Sequence, residues 1–165
     1  MKKKLPLIII TVISLIVIGF VLFKSFNTAS QTAMPADFNL VLNYGVGAKN
    51  ELNTFDNTYT KDLVMDPSVT VDFKLTDDEL YNIYKKMIDL GVLEITDTAE
   101  EGMFVTPCSS YYLKVQQNSV QKEMSWDNCS GRIDDRLQEF TDYVVSIIES
   151  KEEYQELPDA TGGYD

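Results

Sequence analysis

Two cysteines, Cys108 and Cys129, and a large surplus of carboxylates are the residues of this chain whose types could carry chemistry. A thiolate can act as a nucleophile or a metal ligand, whereas two thiols held side by side in an oxidising compartment become a disulfide. The 165 residues contain no histidine, which removes Ser-His-Asp and Cys-His catalysis and the commonest zinc ligand. Gly45-Val46-Gly47 lacks the later glycine and the lysine of a phosphate-binding loop. What is left for catalysis is a carboxylate pair of the glycosidase kind, two acids about 5–9 Å apart across a cleft. Among 26 Asp and Glu such pairs arise by chance, and Asp77-Asp78-Glu79 and Asp134-Asp135 are already explained as helix starts. The expectation is a non-enzyme without a cofactor, with hydrolysis of a cell-wall polymer by a carboxylate pair as the alternative.

For a hard cation, the oxygen-rich stretch Asp97–Gly102, with Asp97, Glu100 and Glu101, is the best candidate. It lacks the alternating Asp/Asn pattern of a calcium loop, so it is expected to be a solvated acidic loop, and a divalent-cation-binding surface protein is a further alternative. Leu157-Pro-Asp-Ala-Thr-Gly162 has one residue too many for an LPxTG sorting signal. The aromatic residues otherwise fall into strand and helix stripes. Tyr112, turned by the hairpin to its polar face, and Tyr59 and Tyr164, in loop and tail, do not, and they are the candidate contacts for a protein partner.

The cysteines are positioned by the segment between them. With Asn118-Ser119 as a two-residue hairpin turn, cross-strand partners have numbers that total 237. Tyr111 then faces Trp126 and Leu113 faces Met124 on one side, while Tyr112 faces Ser125 and Lys114 faces Glu123 on the other. One face is apolar and the other polar, as a half-buried hairpin requires. Cys108 and Cys129 obey the same rule at a non-hydrogen-bonded position, where Cα atoms approach to about 4.5 Å, inside the range of a disulfide. A bridge stapling the open end of the hairpin is predicted.

Outside that hairpin, Phe38, Leu40, Leu42 and Tyr44 alternate with polar residues and predict a strand. Asn50–Leu63 predicts a weak second strand plus loop, and Val69, Val71, Phe73 and Leu75 a further strand after Pro67. Thr76-Asp-Asp-Glu79 has the form of a capping box, opening a helix with a Leu80, Ile83, Tyr84, Met87, Leu90 stripe that ends at Gly91. A second helix is predicted from about Arg132 to Ser150, with Ile133, Leu137, Phe140, Val144, Ile147 and Ile148 on its buried face. The fold class is α+β: an antiparallel sheet with two helices packed on one face.

Leu5–Phe23 is a run of nineteen residues without a charge. As a helix it spans about 28 Å, close to the roughly 30 Å apolar core of a bilayer. Lys2, Lys3 and Lys4 precede it and favour a cytoplasmic N-terminus. The division expected is a cytoplasmic lysine cluster with a transmembrane signal-anchor over 1–24, a flexible stalk over 25–36 and an extracytoplasmic α+β domain over 37–165. A cleaved signal peptide is the alternative for the first segment, and either way the body is exported. Setting aside Lys2, Lys3, Lys4 and Lys24, ten basic residues face 26 acidic ones, a net charge of −16 beyond residue 24. Such a body is unsuited to nucleic acid or anionic lipid headgroups. The partners expected are the lipid bilayer, through Leu5–Phe23, and a cell-surface protein.

Taken together, Asn39–Gly45, Thr54–Pro67, the helix opening at Leu75–Glu79, the Tyr112–Trp126 hairpin and Leu157–Tyr164 resemble a family of small exported or membrane-anchored proteins of Gram-positive bacteria that have no known activity. The resemblance implies an extracytoplasmic α+β domain and carries no functional residues with it. Families of this type often hold a lipid-modified cysteine at the anchor; this chain has the apolar run instead.

Overall fold

The computed structural model describes residues 33–96, 99–101, 104, 106–129 and 131–164. The chain divides into two compact units, Met1–Met34 and Pro35–Asp165, and the apolar run Leu5–Phe23 and the stalk up to Thr32 lie outside the described residues. Among the described residues no helix is long and apolar enough to cross a membrane.

The second unit is α+β. Its strands are β1 (Asn39–Tyr44), β2 (Asn50–Asn53), β3 (Thr58–Leu63), β4 (Asp66–Asp72), β5 (Ala99–Glu101), β6 (Ser110–Gln117), β7 (Val120–Asp127) and β8 (Gly131–Ile133). Its helices are α1 (Asp77–Asp89), α2 (Asp135–Ser150) and the single turn α3 (Glu152–Gln155), with a 3-10 turn at Val92–Glu94. Six strands form one antiparallel sheet in the order β4-β3-β2-β1-β6-β7, and β5 pairs with β8 in a small second one. Side chains alternate across a strand, so the buried set Leu40, Leu42, Leu52, Tyr59, Leu113 and Val115 marks one inner face. Ile83 and Met87 of α1 and Leu137, Phe140, Val144 and Ile148 of α2 are fully buried. Ring contacts Phe38–Tyr84 and Tyr59–Tyr154 tie that inner face to α1 and α3.

Three sequence expectations change. The stretch Asn50–Leu63 holds two strands, β2 and β3, because Thr54–Asn57 forms a tight turn: Asn53 Oδ1 accepts from the amides of Phe55 and Asp56, and Asn57 takes φ +54°. The strand expected after Pro67 begins at Asp66, with Pro67 inside it. Proline is tolerated there because, among the described residues, β4 is the edge strand of the sheet and its register with β3 shifts beside Pro67. The last helix starts at Asp135, since Gly131–Ile133 is taken up in β8 and Asp134 caps the helix by accepting from the Arg136 amide. The capping box of α1 is present in full: Thr76 Oγ1 accepts from the Glu79 amide at 3.2 Å and Glu79 Oε2 from the Thr76 amide at 2.7 Å.

Candidate functional site

Two surfaces concentrate polar and aromatic groups that the core does not need. The first is built on the β6–β7 hairpin. Its register runs Ser110↔Asp127 to Gln117↔Val120, with Asn118 and Ser119 at φ +51° and +61° in the turn. Two consecutive left-handed residues give the turn whose twist matches that of the flanking strands. Tyr111 and Trp126 stack with centroids 5.4 Å apart, and Leu113 is buried beside Leu42 of β1. At the open end Cys108 and Cys129 form the disulfide, with Cα atoms 4.9 Å apart and the amide of Asn128 donating to the Ser109 carbonyl. At the turn end Asp37 accepts from the amides of Asn118 (2.8 Å) and Ser119 (2.6 Å). Those amide bonds, Ser119's foremost, hold the Asp37 carboxyl below the usual range. The hairpin is thus fastened at both ends.

The outer face of this hairpin carries Tyr112, half-buried and paired laterally with Asn43 of β1. Burial raises its pKa, with a further rise from its hydrogen bond to Glu123. Lys114, directly opposite Glu123, lies 5.5 Å from the Phe55 ring centroid, and Asn43 donates to Glu51 at 3.0 Å. Tyr112, Lys114, Glu123, Asn43, Glu51 and Phe55 form a continuous polar-aromatic surface over β2, β1, β6 and β7, the face opposite the helices.

The second surface is the corner between β3 and β4. The amide of Met65 donates to the Leu63 carbonyl at 2.8 Å around Val64, whose φ is +67°. This is a γ-turn of the rarer, strained hand, on a β-branched residue that disfavours it. Residues 161–164 cross the corner. Thr161 bridges Val64 in parallel, its amide donating to Leu63 O at 3.2 Å and its hydroxyl to Asp66 at 2.8 Å. The Tyr164 hydroxyl donates to the buried Asp62 carboxylate and accepts from Lys49 Nζ at 2.9 Å, while that ammonium also sits 4.8 Å from the ring centroid. The other Asp62 oxygen accepts from the Val64 amide at 3.1 Å.

The residues singled out by the sequence are dispersed. Tyr112 lies on the outer sheet face and Tyr164 at the corner. Tyr59, expected in a loop, lies in β3 at 1% exposure, its hydroxyl 2.7 Å from that of Tyr44 and its ring against Phe73 and Tyr154. It is a core residue, because the Thr54–Asn57 turn returns the chain to the sheet and aims position 59 inward opposite Leu52. Burial pushes the Tyr44 hydroxyl up to about 12 and the Tyr59 hydroxyl further in the same direction. Asp97 lies outside the described residues. Glu100 and Glu101 belong to β5, opposite Arg132 and Gly131, so this part of the expected loop is a strand. Among the described residues no three acidic or sulfur-bearing side chains gather as a metal site. Asp62, Lys49 and Asp66 were not legible as a cluster, since nothing in their spacing announces that residues 161–164 return to them. Compared with protein-family models, curated proteins and solved structures, the chain matches none.

Proposed function

We propose that this protein is a single-pass, membrane-tethered extracytoplasmic module that binds a basic protein partner at the cell surface and performs no catalysis. Leu5–Phe23 is its membrane helix, with Lys2–Lys4 cytoplasmic, and residues 25–36 are the stalk. The observation that carries the reading is the Cys108–Cys129 disulfide. Such a bridge persists in an oxidising compartment and is rare in a reducing one. The net charge of −16 beyond residue 24 favours a cationic partner. The outer sheet face supplies anchors for it, Tyr112 hydrogen-bonded to Glu123, with Glu51 held by Asn43.

Two measurements on intact cells test this. External protease should remove the body and leave a membrane-retained N-terminal fragment, and alkylation without reductant should find no free thiol. A body that is protected, or two alkylated cysteines, would overturn export. A photo-cross-linking side chain at position 112 should capture one basic protein repeatedly, whereas the same group at Tyr81 on exposed α1 should not. Equal capture at both positions would remove the outer face from the proposal.

A further inference from the structure

The corner at Asp62–Asp66 has the properties of a peptide-recognition site with an occupant in place, and three of the occupant's four positions, Thr161, Gly162 and Tyr164, are each chosen by a separate interaction. Thr161 supplies a backbone amide to Leu63 O and a hydroxyl to Asp66. Gly162 is at φ +79°, and a Cβ there would lie 2.5 Å from Met65 Cγ, so the position admits glycine and rejects larger residues. Gly163 meets nothing within 4 Å, so that position is unrestricted. Tyr164 needs both its hydroxyl, for Asp62 and Lys49, and its ring, for the Lys49 ammonium. The pattern read is Thr-Gly-x-Tyr, bent at the glycine, with Thr161 bridging Val64 in the parallel sense. Asp62 Oδ1 accepts from the Val64 amide while its other oxygen meets the tyrosine, so half of the carboxylate is held by the turn that follows β3.

We infer that this corner accepts the Thr161–Tyr164 segment from a second copy of the chain as well as from its own, so that two copies can be joined by reciprocal exchange. Residues 158–163 are all exposed, and the segment is fastened through Thr161 and Tyr164. The arm itself contributes no fully buried side chain, and each hydrogen bond broken within one copy re-forms between the two, the condition under which exchange of an element is a low-cost route to a dimer. Pro158, whose fixed backbone disfavours continuation of α3, marks where the exchanged arm departs. Exchange needs only the corner and its arm, not the membrane tether.

The test uses full chains co-expressed with two tags, one carrying Asp66→Cys and the other Thr161→Cys, the residues whose side chains meet at 2.8 Å. A disulfide joining positions 66 and 161 of different chains, located by mass spectrometry, is the expected result. Its yield should exceed by roughly tenfold that of a Thr161→Cys and Lys85→Cys pairing, because a docked arm raises the effective concentration of its thiol. Adding Gly162→Val to the Thr161→Cys chain should abolish it. One chain carrying both cysteines reports on folding by closing internally. Internal closure without any cross-chain product would confine the segment to its own copy and overturn the inference. Equal yields with the Lys85→Cys control, or failure of internal closure, would overturn it too.

Discussion

The β6–β7 hairpin and the corner crossed by residues 161–164 are both held by hydrogen bonds and a covalent or charged fastening, yet they differ in how far along the chain their partners lie. In the hairpin every cross-strand pair obeys one sum, from Gln117↔Val120 out to the Cys108–Cys129 bridge, and the Asp37 clasp on its turn, 81 and 82 residues away, is added to that local frame. At the corner the partners are 95, 102 and 115 residues apart. The hairpin buries Leu113, Val115 and Trp126 and belongs to the core, whereas the crossing segment buries little and is surface-held. Interactions that make the fold are thus distinct from those laid on it afterwards, and mutations should follow that division.

The largest effect is expected at Trp126, 5% exposed and stacked on Tyr111. Trp126→Ala should destabilise the domain by about 3–5 kcal/mol in chemical denaturation, through lost burial and the cavity left behind. Next is the staple: Cys108→Ser with Cys129→Ser should cost about 3 kcal/mol, the entropy of a loop this short, and reductant should reproduce the loss in the natural chain. Tyr59→Phe should cost about 1 kcal/mol, since Tyr44 loses its buried hydroxyl partner. At the corner, Tyr164→Phe should change global stability by about 1 kcal/mol or less. Its clear signature should be faster cleavage between residues 157 and 164 by added protease, with the hairpin untouched. A Tyr164→Phe chain as unstable as Trp126→Ala would erase the distinction between the two regions.

Acid and alkali probe the same division through single groups. Asp37 has a lowered pKa in the folded chain, so its contribution is complete above the unfolded value, about 4, and is lost as pH falls through the folded value. Asp37→Asn should flatten that part of the acid stability profile. Tyr44 has a raised pKa, about 12, so its stabilising contribution is complete below the unfolded value and lost as pH rises towards 12. Tyrosine absorbance near the ultraviolet edge should therefore show part of the ionisation delayed until the domain opens. Tyr44→Phe should shift that delayed fraction.

Much of the fold was legible because its signals are local. Thr76 and Glu79 are three residues apart and state the start of α1; the hairpin's two faces state its register; a disulfide follows from that register. Legibility failed where a polar side chain had to be understood through tertiary neighbours. Tyr59 looked like a loop residue until the Thr54–Asn57 turn returned it to the sheet, where the Tyr44 hydroxyl satisfies it. Arg132, assigned to a helix by periodicity, lies in β8 because β5 offers a strand to pair with. Of the candidate surfaces, Tyr112 was readable from the alternation of β6, but Asp62 and Lys49 were not.

The α+β class, the hairpin register, the cysteine pairing and the capped start of α1 were settled by the amino-acid sequence, because each depends on residues within about two dozen positions of one another. Tertiary packing was needed to place β1 between β2 and β6, to make Tyr59 core, and to lay residues 161–164 across the β3–β4 corner. Those outcomes depend on closing long loops, and many closures are compatible with one local pattern until burial of a shared core selects among them.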